Sequence, residues 1–209
     1  LSIKDSMMLG TAGLTAGLCI EEIYNHTVIN NLEVIVSGST GGVGSIAVKL
    51  LSLLGAKVTA ITGKKNSEQY LYDLGSSKVI DRKKFIDSTK SPLSSGVYHA
   101  AVDAVGGNIL SSILTSMQYN GIITACGNVA GANFTTSVFP FILRKNRLIG
   151  IDSATCSIPI REKIWNKFST FWRLKNLDHI CKVINLSSLD GEIKKILCGE
   201  QVGRIVVRL

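Results

Sequence analysis

A chain of 209 residues, 45% of them hydrophobic and with a mean hydropathy of +0.28, carries enough apolar material for one full α/β core and an appendage, which excludes an intrinsically disordered protein. Its formal charge of +8 is unevenly placed: residues 1–80 hold six Lys/Arg and six Asp/Glu, whereas residues 81–209 hold seventeen and nine. Aromatic residues make up only 6%, and no nucleic-acid-binding motif is present, so a DNA or RNA surface is a weaker reading of that excess.

The chain begins at Leu1 in mid-pattern, as a fragment of something longer would. Its most apolar early segment, Met7 to Ile20, is too short to span a membrane and is interrupted by Gly10, Thr11, Gly13, Thr15 and Gly17. It also lacks the basic flank and cleavage site of a signal peptide, so no membrane association is expected. The spacing predicts a packed helix capped by Asp5 or Ser6 and running to about Tyr24, its small residues allowing close neighbours. Asn25 to Asn31 then forms a polar connection.

From Val34 to Val48 a β-branched apolar run leads through Ser37-Gly38-Ser39-Thr40-Gly41-Gly42-Val43-Gly44 into an apolar helical pattern. This reads as strand, phosphate loop and helix. Gly41 and Gly44 lack a Cβ, so backbone can approach a pyrophosphate while free N–H groups at the helix start face the anion. Gly38 precedes Ser39, which occupies the first glycine position of the usual G-x-G-x-x-G. Ile46, Leu50, Leu51 and Leu54 continue the helix to Gly55, and Lys57 to Ile61 forms a second strand, completing a right-handed β-α-β unit.

An NAD-selective fold usually places an acidic residue after that strand, bonding the ribose 2′-hydroxyl. Here stand Thr62, Gly63, Lys64 and Lys65, a hydroxyl, a backbone N–H and ammonium groups that suit a 2′-phosphate. The expected cofactor is therefore NADPH, against a plain reading of exposed lysines before a helix capped by Asn66 or Ser67.

Alternation continues with Lys78 to Ile80, leading to Asp81-Arg82, and with Ala100 to Asp103, ended by Gly106-Gly107. A helix from about Asn108 to Tyr119, a fifth strand from Gly121 to Cys126 and a sixth from Arg147 to Asp152 follow. Six such strands without hairpin signals predict an α/β fold, a doubly wound parallel six-stranded sheet. Ligands of such sheets lie beyond the carboxyl ends of the strands, which makes Gly38 to Gly44, Thr62 to Lys64, Arg82, Gly127-Asn128 and Ser153 the candidates.

After Cys156 the rhythm changes to a long basic amphipathic helix from Ile160 to about Leu174, a short strand near Val183, a helix from Ser187 to Leu197 and a last strand from Arg204 to Leu209. This tail is too small to form a second core unaided. Residues 1–155 are thus expected to form a dinucleotide-binding domain with a leading helix, and residues 156–209 a segment returning to a second domain whose other part lies elsewhere. Arg144, Lys145, Arg147, Arg161, Lys163, Lys167, Arg173 and Lys175 read either as a pole for a polyanionic ligand or as a solvated basic face.

Five cysteines, Cys19, Cys126, Cys156, Cys181 and Cys198, stand in apolar surroundings without a C-x-x-C pair. An odd count without framework spacing points to a reducing, cytoplasmic compartment and to buried thiols. His26, His99 and His179 form no ligand pattern with them, so no metal site is expected.

Several stretches, taken together and in order, are more specific than the glycine loop alone: Met8 to Gly13, Ser39 to Val48, Ala101 to Gly107, Pro140 to Arg144 and Gly150 to Ser153. They resemble the zinc-independent quinone oxidoreductase-like branch of the medium-chain dehydrogenase/reductase superfamily, and within it the acrylyl-CoA reductase group, over nearly the whole chain. The resemblance implies a Rossmann domain preceded in a longer chain by a GroES-like catalytic domain, NADPH as coenzyme, no metal and a homodimer. It implies reduction of an activated C=C bond in an enoyl thioester such as acrylyl-CoA, or of a quinone.

Carried over by residue, the resemblance places pyrophosphate contacts on Thr40, Gly41, Gly42 and Val43, and the 2′-phosphate on Thr62, Gly63 and Lys64 with Arg82 nearby. Further cofactor contacts fall on Asn128, Ile142 and Ser153, with Arg204 as an additional candidate. Asn128 stands where relatives often carry leucine, so only its backbone role transfers. The family's nicotinamide-facing tyrosine has no counterpart in the chain. Asp103 and Tyr119 are the catalytic candidates, but an Asp at a strand end and a Tyr at a helix end are more often structural, and no catalytic residue is assigned. Two other readings stay open: a non-catalytic NADPH-binding regulatory module, and nucleic-acid binding through the basic tail.

Overall fold

The computed structural model describes residues 1–209. Helix α1 spans Ile3–His26 and is capped by Ser2, whose Oγ accepts from the Asp5 N–H at 3.0 Å, so the cap lies three residues before the expected Asp5. Its spiral breaks at Gly10 (φ 48°, ψ −150°), a backbone setting that side chains disfavour.

β1 (Glu33–Val36), α2 (Gly42–Leu53) and β2 (Lys57–Thr62) form the first crossover unit. α3 (Glu68–Asp73), β3 (Lys78–Asp81) and α4 (Arg82–Ser88) come next. Sequence reading passed over α4; the Asp81 carboxylate creates its start by accepting from the Lys84 N–H at 3.0 Å, which makes Arg82 the first residue of a helix. β4 (Tyr98–Asp103), α5 (Gly107–Ser116), β5 (Met117–Ala125), the short α6 (Phe139–Ile142) and β6 (Arg147–Gly150) complete a parallel sheet of order β3-β2-β1-β4-β5-β6. That order reverses direction between β1 and β4, and the crevice there is where such sheets hold ligands.

The α5–β5 boundary falls earlier than the helical spacing suggested. α5 stops at Ser116 because Arg144 donates to the carbonyls of Thr115 (2.9 Å) and Met117 (2.6 Å), satisfying the helix end from outside. Tyr119 consequently lies exposed in the amino-terminal part of β5, at the opposite end of the sheet from the crevice. Pleating sorts the core: Val34, Val36, Ala100 and Val102 face α1 and α2, whereas Ile35, Ala101 and Ile123 face α5.

α7 (Ile158–Ser169) leads to a 3-10 turn (Leu177–His179), β7 (Cys181–Asn185), α8 (Leu189–Leu197) and β8 (Arg204–Arg208), with β7 and β8 paired in parallel as a separate two-stranded sheet. Ile164, Phe168 and Trp172 join the same apolar cluster as Met8, Leu9 and Ile20 of α1. Gly17 permits this approach, since a Cβ there would lie 3.0 Å from the Phe168 ring. Buried Glu21 pairs with Lys163 (2.7 Å) and with Lys167, whose ammonium also rests over the rings of Trp172, Tyr24 and Phe171. Several basic residues of the second half are therefore engaged internally: Arg144 caps α5, and Arg161 holds the carbonyls of Ser153, Ala154 and Cys156. No helix is long and apolar enough to cross a membrane.

Candidate cofactor site

The loop after β1 is shaped by its own backbone. Gly38 adopts φ 60° and its carbonyl accepts from the Gly41 N–H at 2.8 Å. Gly44 then passes so close that a Cβ would sit 2.7 Å from the Gly38 carbonyl carbon and 2.8 Å from Ser39 Cα. Ser39 Oγ and Ser45 Oγ turn inward, donating to the carbonyls of Val36 (2.7 Å) and Gly41 (2.6 Å). α2 begins with Gly41 as a cap that offers no side chain, so the N–H groups of Gly42, Val43 and Gly44 have no carbonyl partner within the helix. Those donors and the positive end of a 12-residue helix make an anion seat.

Arg204, far away in sequence, flanks this seat. Its Nε donates to the Met8 carbonyl at 2.6 Å, and its guanidinium packs against Gly10 and Gly42, the kink in α1 leaving room for it. Gly203 N–H donates to the Thr40 carbonyl at 2.8 Å, locking the turn before β8 onto the glycine loop. Burial presses the Arg204 pKa below its ordinary value, without threatening its charge.

At the end of β2, Thr62 is buried, with Oγ1 accepting from the Lys64 N–H at 3.1 Å. Gly63 is exposed beneath Arg82, its position for a Cβ being 3.1 Å from the guanidinium carbon. Arg82 makes no ion pair and no side-chain hydrogen bond, so its donors face outward. Lys64 differs: its ammonium donates to the Gln201 carbonyl, and burial lowers its pKa. Thus the structure brings Gly63 and Arg82 together, whereas Lys64 holds the carboxyl-terminal turn. No acidic residue stands in Thr62 to Lys65; Asp81, paired with Thr62 in the β2–β3 register, has a carboxylate oxygen engaged by the Lys84 N–H at 3.0 Å.

Across the switch point, Asp103 ends β4 with its carboxylate buried. Burial raises its pKa, opposed by hydrogen bonds from Ser37 Oγ (2.5 Å) and the N–H groups of Gly106 (2.9 Å) and Val105 (3.4 Å). With both carboxylate oxygens accepting from the turn, Asp103 shapes the loop. Register shows why: Val36 pairs with Val102, so Ser37 and Asp103 follow side by side. This clamp was missed in the sequence, where Ser37 and Asp103 are distant; placing β4 next to β1 would have revealed it.

The remaining candidates are spread along the same rim. Asn128 is exposed after β5, where Gly127 packs against Ala104, a Cβ falling 2.7 Å from its carbonyl carbon. Ser153, after β6, hydrogen-bonds to Thr15 of α1 at 2.8 Å. Ile142 closes α6 and is 68% exposed, joined to the loop by no described contact. A groove of about 600 Å3 runs along Ala125 to Asn128 and Gly150 to Asp152. No group of three His, Cys, Asp or Glu side chains gathers as a metal-ligand set.

A parallel sheet of this order, with a bare glycine cradle at its first turn, has the architecture of a dinucleotide-binding domain, and comparison with known proteins places it in the medium-chain dehydrogenase/reductase class. The chain belongs to the zinc-binding dehydrogenase family, whose profile matches residues 42–174. Among curated relatives it is similar to the putative quinone oxidoreductase YhfP of Bacillus subtilis, 38% identical over 211 residues, covering 100% of this chain and 64% of the relative. It is also similar to the acrylyl-CoA reductase AcuI of Ruegeria pomeroyi, 35% identical, covering 99% of this chain and 63% of that protein. Among solved structures it matches Escherichia coli K-12 YhdH with bound NADPH (TM-score 0.92, 35% identity, 99% of this chain, 64% of the other). Bacillus subtilis YhfP with NAD bound superposes with a TM-score of 0.94 at 38% identity, covering 100% and 64%. The chain thus spans less than two thirds of the length of these relatives.

Proposed function

We propose that this chain is the NADPH-holding part of a metal-independent medium-chain reductase acting on an enoyl thioester such as acrylyl-CoA, or on a quinone. The observation carrying this reading is the pairing of two anion seats along one rim: the bare N–H groups of Gly42 to Gly44 flanked by Arg204, and the Gly63 turn under the outward-facing Arg82. Their spacing along the carboxyl edge of the sheet suits a pyrophosphate followed by a phosphorylated ribose. The backbone of Thr40 to Gly44 and Arg204 would hold the pyrophosphate, while Thr62, Gly63 and Arg82, with Lys64 at the margin, would meet the 2′-phosphate. When bound, the coenzyme supplies a hydride from nicotinamide C4 to the β-carbon of the acceptor.

Backbone of Gly127, Asn128 and Ser153 would line the nicotinamide half. No side chain of this chain is assigned as proton donor or oxyanion donor; that work belongs to the part of the protein beyond it. Residues 1–155 read as the coenzyme domain and 156–209 as the segment that meets a GroES-like domain, which the exposed Leu186, Ile193, Ile196 and Leu197 on the outside of the tail would face. Strand β6 is an open sheet edge, a natural seam for a homodimer. A cytoplasmic setting accords with five free thiols.

The test is direct. Full-length protein is mixed with NADPH and either acrylyl-CoA or a quinone, and absorbance of the reduced nicotinamide is followed; consumption with one acceptor is expected. Tight NADPH binding without turnover on either class would reduce the protein to a binding module.

A further inference from the structure

The segment between β6 and α7, Ile151 to Ser157, has no regular structure, yet two side chains hold its backbone from opposite sides. The Asp152 carboxylate accepts from the N–H groups of Ala154 (2.8 Å) and Thr155 (3.2 Å), and from the Thr155 hydroxyl. Arg161, the fourth residue of α7, donates through Nη2 to the carbonyls of Ser153 (3.1 Å) and Ala154 (2.8 Å), and through Nε to that of Cys156 (2.8 Å). The peptide planes joining Ser153 to Ala154 and Ala154 to Thr155 are therefore pinned at both ends, N–H by the carboxylate and C=O by the guanidinium. The Ser153 N–H, immediately before them, makes no hydrogen bond within the chain. Asp152 itself lines the groove, with Gly150, Ile151 and the residues that follow β5.

We infer that Arg161 is a positioning residue for the nicotinamide half of the coenzyme: its guanidinium, working against the Asp152 carboxylate, holds the Ser153 to Cys156 backbone and with it the groove rim from Gly150 to Ser153. The inference rests on the coenzyme reading proposed above. A loop without regular structure would otherwise have to be ordered by the ligand itself, and a rim ordered in advance spares that cost. Arginine suits the task because its planar fork presents several donors at fixed spacing, whereas a lysine ammonium is a point charge. Three carbonyls are taken up by the fork. What remains unshared at the rim is the Ser153 N–H, a donor for a polar group of the ligand.

The clasp is anchored outside the loop. Arg161 stands on a helix whose Ile164 and Phe168 are buried in the cluster with α1, and the Ser153 hydroxyl is hydrogen-bonded to Thr15 of α1 at 2.8 Å. The Thr155 hydroxyl, then the N–H groups of Thr155 and Ala154, hold the Asp152 carboxyl below its usual range, and the Arg161 charge adds to this. Asp152 thus stays an acceptor at neutral pH. Residues 156–209 reach the proposed coenzyme site at two ends, by Arg204 beside the glycine loop and by Arg161 behind the Ser153 turn. Arg204 would meet a phosphate directly. Arg161 acts only through the backbone it holds, so removing it should affect one half of the coenzyme and not the other.

The experiment separates the two halves. Full-length protein, wild type and Arg161→Ala, is titrated by calorimetry with NADPH and with adenosine 2′,5′-bisphosphate, which carries the phosphorylated adenosine and lacks the nicotinamide. The variant is expected to bind NADPH about tenfold more weakly and the bisphosphate within about twofold of wild type, the effect of losing one oriented contact. Arg161→Lys, which keeps the charge and loses the fork, should show the same one-sided loss in smaller measure, and it decides the matter if the alanine protein does not fold. Equal losses on both ligands, or NADPH affinity unchanged, would overturn the positioning role while leaving the coenzyme reading intact. Wild-type protein that binds neither ligand would remove the coenzyme reading itself, and the role of Arg161 with it.

Discussion

At the scale of single residues, two cations after neighbouring strands differ in availability although both looked alike in sequence. Arg82 leans over Gly63 with its donors outward, while Lys64 holds the Gln201 carbonyl. Arg82→Glu is therefore the cleaner probe, since changing Lys64 would also loosen the turn before β8. It should weaken NADPH binding by about 1.5–3 kcal/mol and leave NADH nearly unaffected, measured by paired fluorescence titrations; equal losses for both coenzymes would refute the 2′-phosphate reading. Glu21 supplies a second case. Burial pushes its carboxyl up, and the ammonium groups of Lys163 and Lys167 together outweigh that, leaving its pKa below the usual glutamate value. A carboxyl depressed in the folded state contributes stability above its unfolded pKa, about 4.3, and loses it as pH falls through the folded value. Glu21→Gln should cost about 3 kcal/mol in urea unfolding at pH 7, where it strands Lys167 among aromatic rings, and distinctly less at pH 3.

At the scale of elements, the glycine turn and α2 act as one unit because backbone touches backbone. Gly44→Ala places a methyl against Gly38 and Ser39 main-chain atoms, which cannot swing aside as a side-chain tip could. It should destabilise the chain by about 1–3 kcal/mol and abolish nucleotide binding, read by thermal unfolding with and without NADPH. A variant of wild-type stability that still responds to NADPH would show that the seat lies elsewhere. Helix boundaries follow a different rule: α4 depends on the Asp81 cap and α5 ends where Arg144 takes its carbonyls. The first is a local signal available in sequence; the second joins residues about thirty positions apart, so helical spacing alone overran α5 to Tyr119.

At the scale of the whole molecule, the tail contributes to the same interior as the sheet domain. Ile164, Phe168 and Trp172 fill the surface of α1, and Gly203 and Arg204 return to the glycine loop. Truncation after residue 155 should therefore expose the apolar seat on α1 and remove Arg204, giving a protein that aggregates or binds a hydrophobic dye and fails to retain NADPH. A soluble, cooperatively unfolding 1–155 fragment with intact affinity would contradict this dependence; size-exclusion chromatography and calorimetry decide it.

The amino-acid order alone determined the alternation of strand and helix, the parallel six-stranded sheet and the position of the glycine turn, because each is written in short-range patterns of apolar period and glycine. Val34 to Val48 needs no partner to be read as strand, turn and helix. Tertiary structure alone decided that Ser37 clamps Asp103, that Arg204 flanks Gly42 and that Lys64 is tied to Gln201. Each of these joins residues at least 66 positions apart. Such contacts arise from strand order and from helices packing over small residues, which local periodicity does not encode.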